Sequence, residues 1–164
     1  MKILHLDFNE HISTNGWRAF FGALQNSASA LEEVNLIENN IGDGGAVAMA
    51  SAFASIVSLK ILQLEENETI ETTGWQAISN LLQTRNTSLV ELNFGINKID
   101  NEASVALANA LANSPSLKIL TLGSNRLINT IGWSAFSTCF HSLVLEELDL
   151  STSSKCVISC LFFQ

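Results

Sequence analysis

A chain of 164 residues with sixteen acidic and eight basic side chains carries a formal charge of −8. No Lys/Arg cluster stands anywhere in it, and nucleic acid needs positive charge to displace its counterions, so no nucleic-acid partner is expected. The longest apolar run, Cys156 to Phe163 with Ser159 inside it, falls far short of the ~20 residues that cross a bilayer; no membrane span is expected either.

The chain opens on Met1-Lys2-Ile3-Leu4-His5-Leu6-Asp7-Phe8-Asn9, whose apolar alternation predicts a strand. His5 and Asp7 break the apolar run, so this start does not read as a secretory signal. Trp17, Phe20, Phe21 and Leu24 then fall at helical spacing and predict a first helix. The nine-residue phrase returns from Leu31 to Asn39, followed by Val47, Met49, Ala50 and Phe53 as the stripe of a second helix. It returns again at Leu59, followed by Trp75, Ile78, Leu81 and Leu82. Further copies start at Leu89, Leu117 and Leu145, so successive starts lie 30, 28, 30, 28 and 28 residues apart. A fixed period of this size predicts a solenoid, with one strand and one helix per turn and the strands stacked in parallel. The expected division is one repeat domain over 1–153, about five and a half repeats, and an atypical apolar tail over 154–164. At Ser153 the phrase loses its closing Asn. The tail reads as a C-terminal cap, a self-association surface, or the mark of a fragment of a larger protein, since solenoids close their ends with capping units.

A second period sits above the first. Residues 1–58 and 59–116 align without gaps at 24 identical positions. Odd repeats carry Gly-Trp at Gly16-Trp17, Gly74-Trp75 and Gly132-Trp133, where even repeats place small residues. The three Trp side chains are expected to be buried, large against small, between neighbouring helices. Asn9, Asn39, Asn67, Asn97 and Asn125 are expected to satisfy backbone groups where the chain leaves each strand.

Apart from the Asn that Ser153 replaces, the copies follow L-x-x-L-x-L-x-x-N with apolar residues at the leucine positions. The segments Asn40-Ile41-Gly42-Asp43-Gly44-Gly45-Ala46 and Asn97-Lys98-Ile99-Asp100-Asn101-Glu102-Ala103 resemble the N-x-I-G-D-E-G-A stretch of the ribonuclease-inhibitor-like subclass of leucine-rich repeat proteins. That subclass includes Ran GTPase-activating protein and the sensing ends of nucleotide-binding innate immune receptors. The resemblance implies an α/β leucine-rich repeat solenoid, a horseshoe with a parallel β-sheet on its concave face and helices on its convex face.

Little in the chain points to catalysis. His5, His11 and His141 lack a matched Ser, Cys or carboxylate, and Gly42-x-Gly44-Gly45 lacks the Lys of a phosphate loop. Arg18, Arg85 and Arg126 fall outside the concave columns. Cys139, Cys156 and Cys160 form neither a disulfide framework nor a metal set, which fits a reduced, cytoplasmic setting. No cofactor or metal is expected. Asn67-Glu68-Thr69 and Asn86-Thr87-Ser88 match the glycosylation sequon, yet Asn67 fills the inward Asn slot, and neither is read as a modified site.

The residues between the leucines point outward and stack in columns. The second position alternates Lys and Glu over Lys2, Glu32 and Lys60, which would pair across the rungs. The third runs Ile3, Glu33, Ile61, Glu91, Ile119, Glu147 and the fifth His5, Asn35, Gln63, Asn93, Thr121, Asp149. The seventh contributes Ile37 and Glu65, and the eighth Glu38, Glu66 and Ile96. Carboxylates Glu33, Glu38, Glu65, Glu66 and Glu91 thus stand among Ile37, Ile61 and Ile96, with Asn35, Gln63 and Asn93 between. An apolar patch edged by carboxylates predicts a non-catalytic protein-interaction surface for a protein or peptide with a basic face. A GTPase-activating-type regulator is the alternative, by analogy of fold.

Overall fold

Among the described residues, six strands form one open parallel sheet in chain order. They are β1 (Ile3–His5), β2 (Glu33–Asn35), β3 (Ile61–Gln63), β4 (Glu91–Asn93), β5 (Ile119–Thr121) and β6 (Glu147–Asp149). The helices between them are α1 (Thr14–Leu24), α2 (Gly42–Phe53), α3 (Thr72–Arg85), α4 (Asn101–Leu111) and α5 (Thr130–Phe140). This computed structural model describes residues 1–25, 30–85 and 88–151. The tail at 154–164, the sequon at Asn86, and Cys156 and Cys160 lie outside the described residues.

The pairing register joins equivalent positions of successive repeats. Leu4 stands opposite Val34, Val34 opposite Leu62, and the series continues through Leu92 and Leu120 to Leu148. A one-residue slip in a strand exchanges its two faces, so this phase keeps Leu4, Val34, Leu62, Leu92 and Leu120 buried, while Leu148 on the last strand is 38% exposed. The ladder outlasts the strands: Leu6 N donates to Asn35 O and Phe8 N to Ile37 O, both at 2.9 Å.

Each helix packs on the next, and the apolar stripe of each faces the back of the sheet. Trp17, Trp75 and Trp133 are fully buried, as the spacing predicts. Their indole N–H groups meet no acceptor among the described residues, so what they supply is volume. Val47 departs from the expected stripe of the second helix and is 40% exposed, while Met49, Ala50 and Phe53 are buried. The buried face of α2 is made of Gly42, Gly45, Ala46, Met49, Ala50, Ala52 and Phe53, and Val47 falls outside it. Trp-bearing helices alternate with small-residue helices in space as in sequence. A Cβ on Gly45 would stand 3.0 Å from Trp17 Cβ, and one on Gly74 3.1 Å from Ala46 Cβ. One on Gly132 would meet Ser104 Cβ at 2.9 Å. Gly42 also needs its freedom of backbone, at φ +62° with Thr14 against it.

Helix starts are capped within and between repeats. Ser13 Oγ accepts from Gly16 N, Asp100 Oδ1 from Ala103 N and Asn129 Oδ1 from Ile131 N. The α3 start borrows its cap from the preceding repeat, where Asp43 Oδ1 accepts from Glu71 N at 2.8 Å and Gly74 N at 3.0 Å. Such caps satisfy N–H groups the helix itself cannot.

Where each strand ends, the chain turns through a residue in the left-handed region. Phe8, Glu38, Glu66, Ile96 and Ser124 all lie there, with φ between 49° and 62°. The turn delivers the ladder Asn inward. Asn39 Nδ2 reaches Leu36 O at 2.8 Å, Ile37 O at 3.0 Å and Leu6 O of the preceding repeat at 2.9 Å. Asn97 repeats this with Phe94, Gly95 and Leu64, and its Oδ1 accepts from Asn67 N at 2.9 Å. Asn67, the first sequon residue, is fully buried in this ladder.

Candidate interaction surface

The sheet surface holds the expected columns, and its carboxylates divide into two groups. On the strands, Glu33 lies between Ile3 and Ile61, and Glu91 between Ile61 and Ile119. No two glutamates of this column are neighbours. Glu33 and Glu91 each have a polar partner on an adjacent rung: His5 Nε2 lies 2.7 Å from Glu33 Oε1, and Gln63 Nε2 donates to Glu91 Oε1 at 3.0 Å. Asn93 Nδ2 donates to Glu65 Oε2 at 2.8 Å. Asn35 and Asn93 use their Oδ1 atoms to accept from Ile37 N and Gly95 N two residues on. Asn35, Gln63 and Asn93 therefore brace the surface, and Glu33, Glu65 and Glu91 are held carboxylates, each with acceptor capacity left over.

The second group, Glu38, Glu65 and Glu66, gathers with Glu68 where the chain leaves the sheet. Glu66 is exposed, yet a slight loss of hydration raises its carboxyl above its ordinary value, and the negative charges of Glu38, Glu65 and Glu68 push it further. Its ionised form is the disfavoured one in the fold, so the penalty exists at neutral pH and is relieved as pH falls through the raised value. Glu66 also pays for left-handed backbone without a glycine, a cost of about 1 kcal/mol. Glu66→Asn is therefore expected to raise stability by about 1 kcal/mol in chemical denaturation, since Asn tolerates this backbone best after Gly. The gain should shrink as pH is lowered toward 4; a gain that grows on acidification would contradict this account.

At the opposite end of the strands, Glu32 lies between Lys2 and Lys60, with Lys60 Nζ at 2.7 Å. Its hydrogen bonds to Lys2 and then to Lys60 hold its carboxyl down to about 2. This contribution is present above the ordinary carboxylate range and is lost only as pH falls toward that value. Lys118 pairs with Glu146 at 3.4 Å, and the lysine–glutamate column registers the rungs as expected.

Sequence reasoning missed one column. The residue after each ladder Asn runs Glu10, Asn40, Glu68, Lys98, Arg126. It forms the rim of the sheet and changes sign along the array. Lys98 Nζ lies 3.1 Å from Glu68 Oε2, and these two residues are shared by adjoining hollows. One, of about 320 Å³, lies toward Glu10, Glu38 and Glu66. The other, of about 490 Å³, runs past Ile96 and Ser124 to Arg126 and Leu127. The signal lay in the loop lengths. Even repeats bury an Ile two positions after the Asn, at Ile41 and Ile99, and odd repeats three positions after it, at Ile70 and Ile128. The extra residue is pushed outward: His11 and Thr69 are exposed, and so is Leu127, at 54%.

On the helical side, Cys139 is buried, and burial pushes its thiol up to about 11. The thiolate is the reactive species. Cys139 is expected to resist a disulfide reagent at neutral pH in the folded protein and to react once denaturant is added, as peptide mass spectrometry would show. Labelling of the native Cys139 would mean that the α5 packing opens locally. Among the described residues, no three His, Cys, Asp or Glu side chains are grouped to hold a metal ion. No helix there is long and apolar enough to cross a membrane.

Comparison with known proteins agrees with this architecture. A family model described as Leucine Rich repeat matches residues 29–50 and 85–108. Over 115 residues, 70% of this chain, the sequence is 31% identical to RAN GTPase-activating protein 2 of Arabidopsis thaliana. The match covers 21% of that relative, so the chain spans about a fifth of its length.

Proposed function

This chain is a leucine-rich repeat protein, and from that premise we propose that it is a non-catalytic interaction module whose acidic concave face receives a basic segment of a protein partner. The observation that carries the reading is the set of braced carboxylates. Glu33, Glu65 and Glu91 are held by His5, Asn93 and Gln63, so little side-chain freedom remains to be lost on binding. Ile61 stands half-buried between Glu33 and Glu91 and offers apolar contact at the centre of the charge. The crowding at Glu66 adds a second drive, because a partner's cation beside Glu38, Glu65 and Glu66 would relieve like-charge repulsion. The test is binding of a lysine- and isoleucine-containing peptide, followed by titration calorimetry at rising salt. Affinity should fall with salt and drop at least tenfold in the Glu65→Lys/Glu91→Lys variant. Unchanged affinity in that variant would remove the concave reading.

The similarity to a RAN GTPase-activating protein favours a second reading, regulation of GTP hydrolysis by a small GTPase. Its support is likeness of a fold that hosts many functions. Stimulated hydrolysis in a single-turnover assay with a Ran-type GTPase would establish it, and a rate equal to that of the GTPase alone would remove it.

A further inference from the structure

We propose that the basic end of the rim is a second docking site, which takes an acidic protein segment carrying an apolar side chain next to its carboxylates. The site is the hollow of about 490 Å³ between the loops that follow β4 and β5. Its volume lies within the ~300–1,000 Å³ of ordinary binding clefts.

Three observations identify its occupant. The first is charge. On a chain of net −8, Lys98 and Arg126 line one hollow, with Glu68 as the only acidic residue on its wall among the described residues. Glu68 is engaged by Lys98 at 3.1 Å, and Arg126 makes no ion pair among the described residues. A planar guanidinium presented this way suits a carboxylate, which it can grip through two parallel N–H bonds. The second is Leu127. It occupies the extra loop position that His11 and Thr69 fill in the other odd repeats, and Ile128 already anchors the loop in the core. The fold therefore does not need an apolar residue there, yet Leu127 is 54% exposed beside Arg126. The third is Ile96, a β-branched residue with φ 49° on the same wall. The turn position it fills is left-handed at Phe8, Glu38, Glu66 and Ser124 as well, and the last three show that the turn does not require an apolar residue, yet here one stands on the wall of the hollow. Two apolar groups and a cation together select an acidic segment with an aliphatic residue over a bare anion.

This site uses none of the concave carboxylates, so its failure and that of the concave reading are separable. The array itself supplies the variants, because repeat three shows what the same column tolerates. Arg126→Glu with Leu127→Thr rewrites the rim of repeat five as the Glu68-Thr69 of repeat three, and it should fold as the parent does. The probe is a dansyl-labelled peptide of alternating Glu and Leu, followed by fluorescence anisotropy. Saturable binding is expected to the parent chain, weakened at least tenfold in the double variant and kept in the Glu65→Lys/Glu91→Lys variant. Arg126→Lys should retain part of it. Equal binding by the double variant would overturn the proposal, as would equal binding of a peptide with Lys in place of Glu. Displacement by free glutamate or inorganic phosphate at the peptide's own concentration would reduce the site to a plain anion site and overturn it as well.

Discussion

Truncating Trp75 to alanine is expected to destabilise the protein by about 3–5 kcal/mol, the range for removing a large aromatic side chain from a core. The indole is fully buried and meets the Phe94 ring edge-on, with centroids 5.2 Å apart. It lies in the helix that packs on both α2 and α4, so the void opens at two inter-repeat interfaces. In a solenoid each unit leans only on its neighbours. The loss should therefore appear first as faster amide exchange in α3 and its flanking strands, and in thermal unfolding as a midpoint lower by on the order of 10 °C. Trp75→Phe separates volume from hydrogen bonding. The indole N–H has no acceptor among the described residues, so phenylalanine gives up some volume and no bond, and it should cost less than half as much as alanine. A phenylalanine variant as damaged as the alanine one would mean that the N–H does have a partner.

Asn97→Ala is expected to cost about 2–3 kcal/mol despite removing only a small polar side chain. The amide is 4% exposed. It joins Leu64 O, Phe94 O and Gly95 O through Nδ2 and takes Asn67 N through Oδ1. Removing it strands the buried Asn67 N–H, at about 1–3 kcal/mol, while Leu64 O, Phe94 O and Gly95 O each keep one other donor, from Asn67 Nδ2, Asn125 Nδ2 and Glu66 N. Asn97→Asp sharpens the point. It keeps the acceptor for Asn67 N but sets a carboxylate oxygen against three carbonyls, so its carboxyl must be raised above the ordinary range. Its stability should improve as pH falls through that raised value and worsen toward neutrality, and denaturation at pH 4 and 7 would show the slope. An Asp variant equal to the parent at pH 7 would show that the Nδ2 donors contribute little.

The repeat made the frame legible before any coordinates were considered. A residue such as Leu62 or Trp75 has one role in every copy, so its position in the phrase determines which way it points. The same holds for Asn97, whose buried amide has no other task in the turn. What the phrase did not reveal depends on contacts between rungs. Glu91 and Glu65 read as free carboxylates in their columns, yet Gln63 and Asn93 bind them across the register. Val47 sits at a helical interval from Ala50 but faces outward, because Ala46, Met49, Ala50 and Phe53 already make the face of α2 that meets the core. The rim column escaped because it lies one residue past the nine-residue phrase, so Lys98 and Arg126 stood outside the columns read from that phrase.

The alternation of helices also limits how such a chain can lengthen. Gly74 lies against Ala46 and Gly45 against Trp17 at distances that leave no space for a larger neighbour. Duplicating one repeat would bring two Trp-bearing helices, or two Gly/Ala helices, side by side, with a clash in the first case and a void in the second. Duplicating a 58-residue pair restores every contact. Growth by recombination is therefore tolerated in steps of two, and a chain engineered to contain one added pair should gain stability where one carrying a single added repeat loses it.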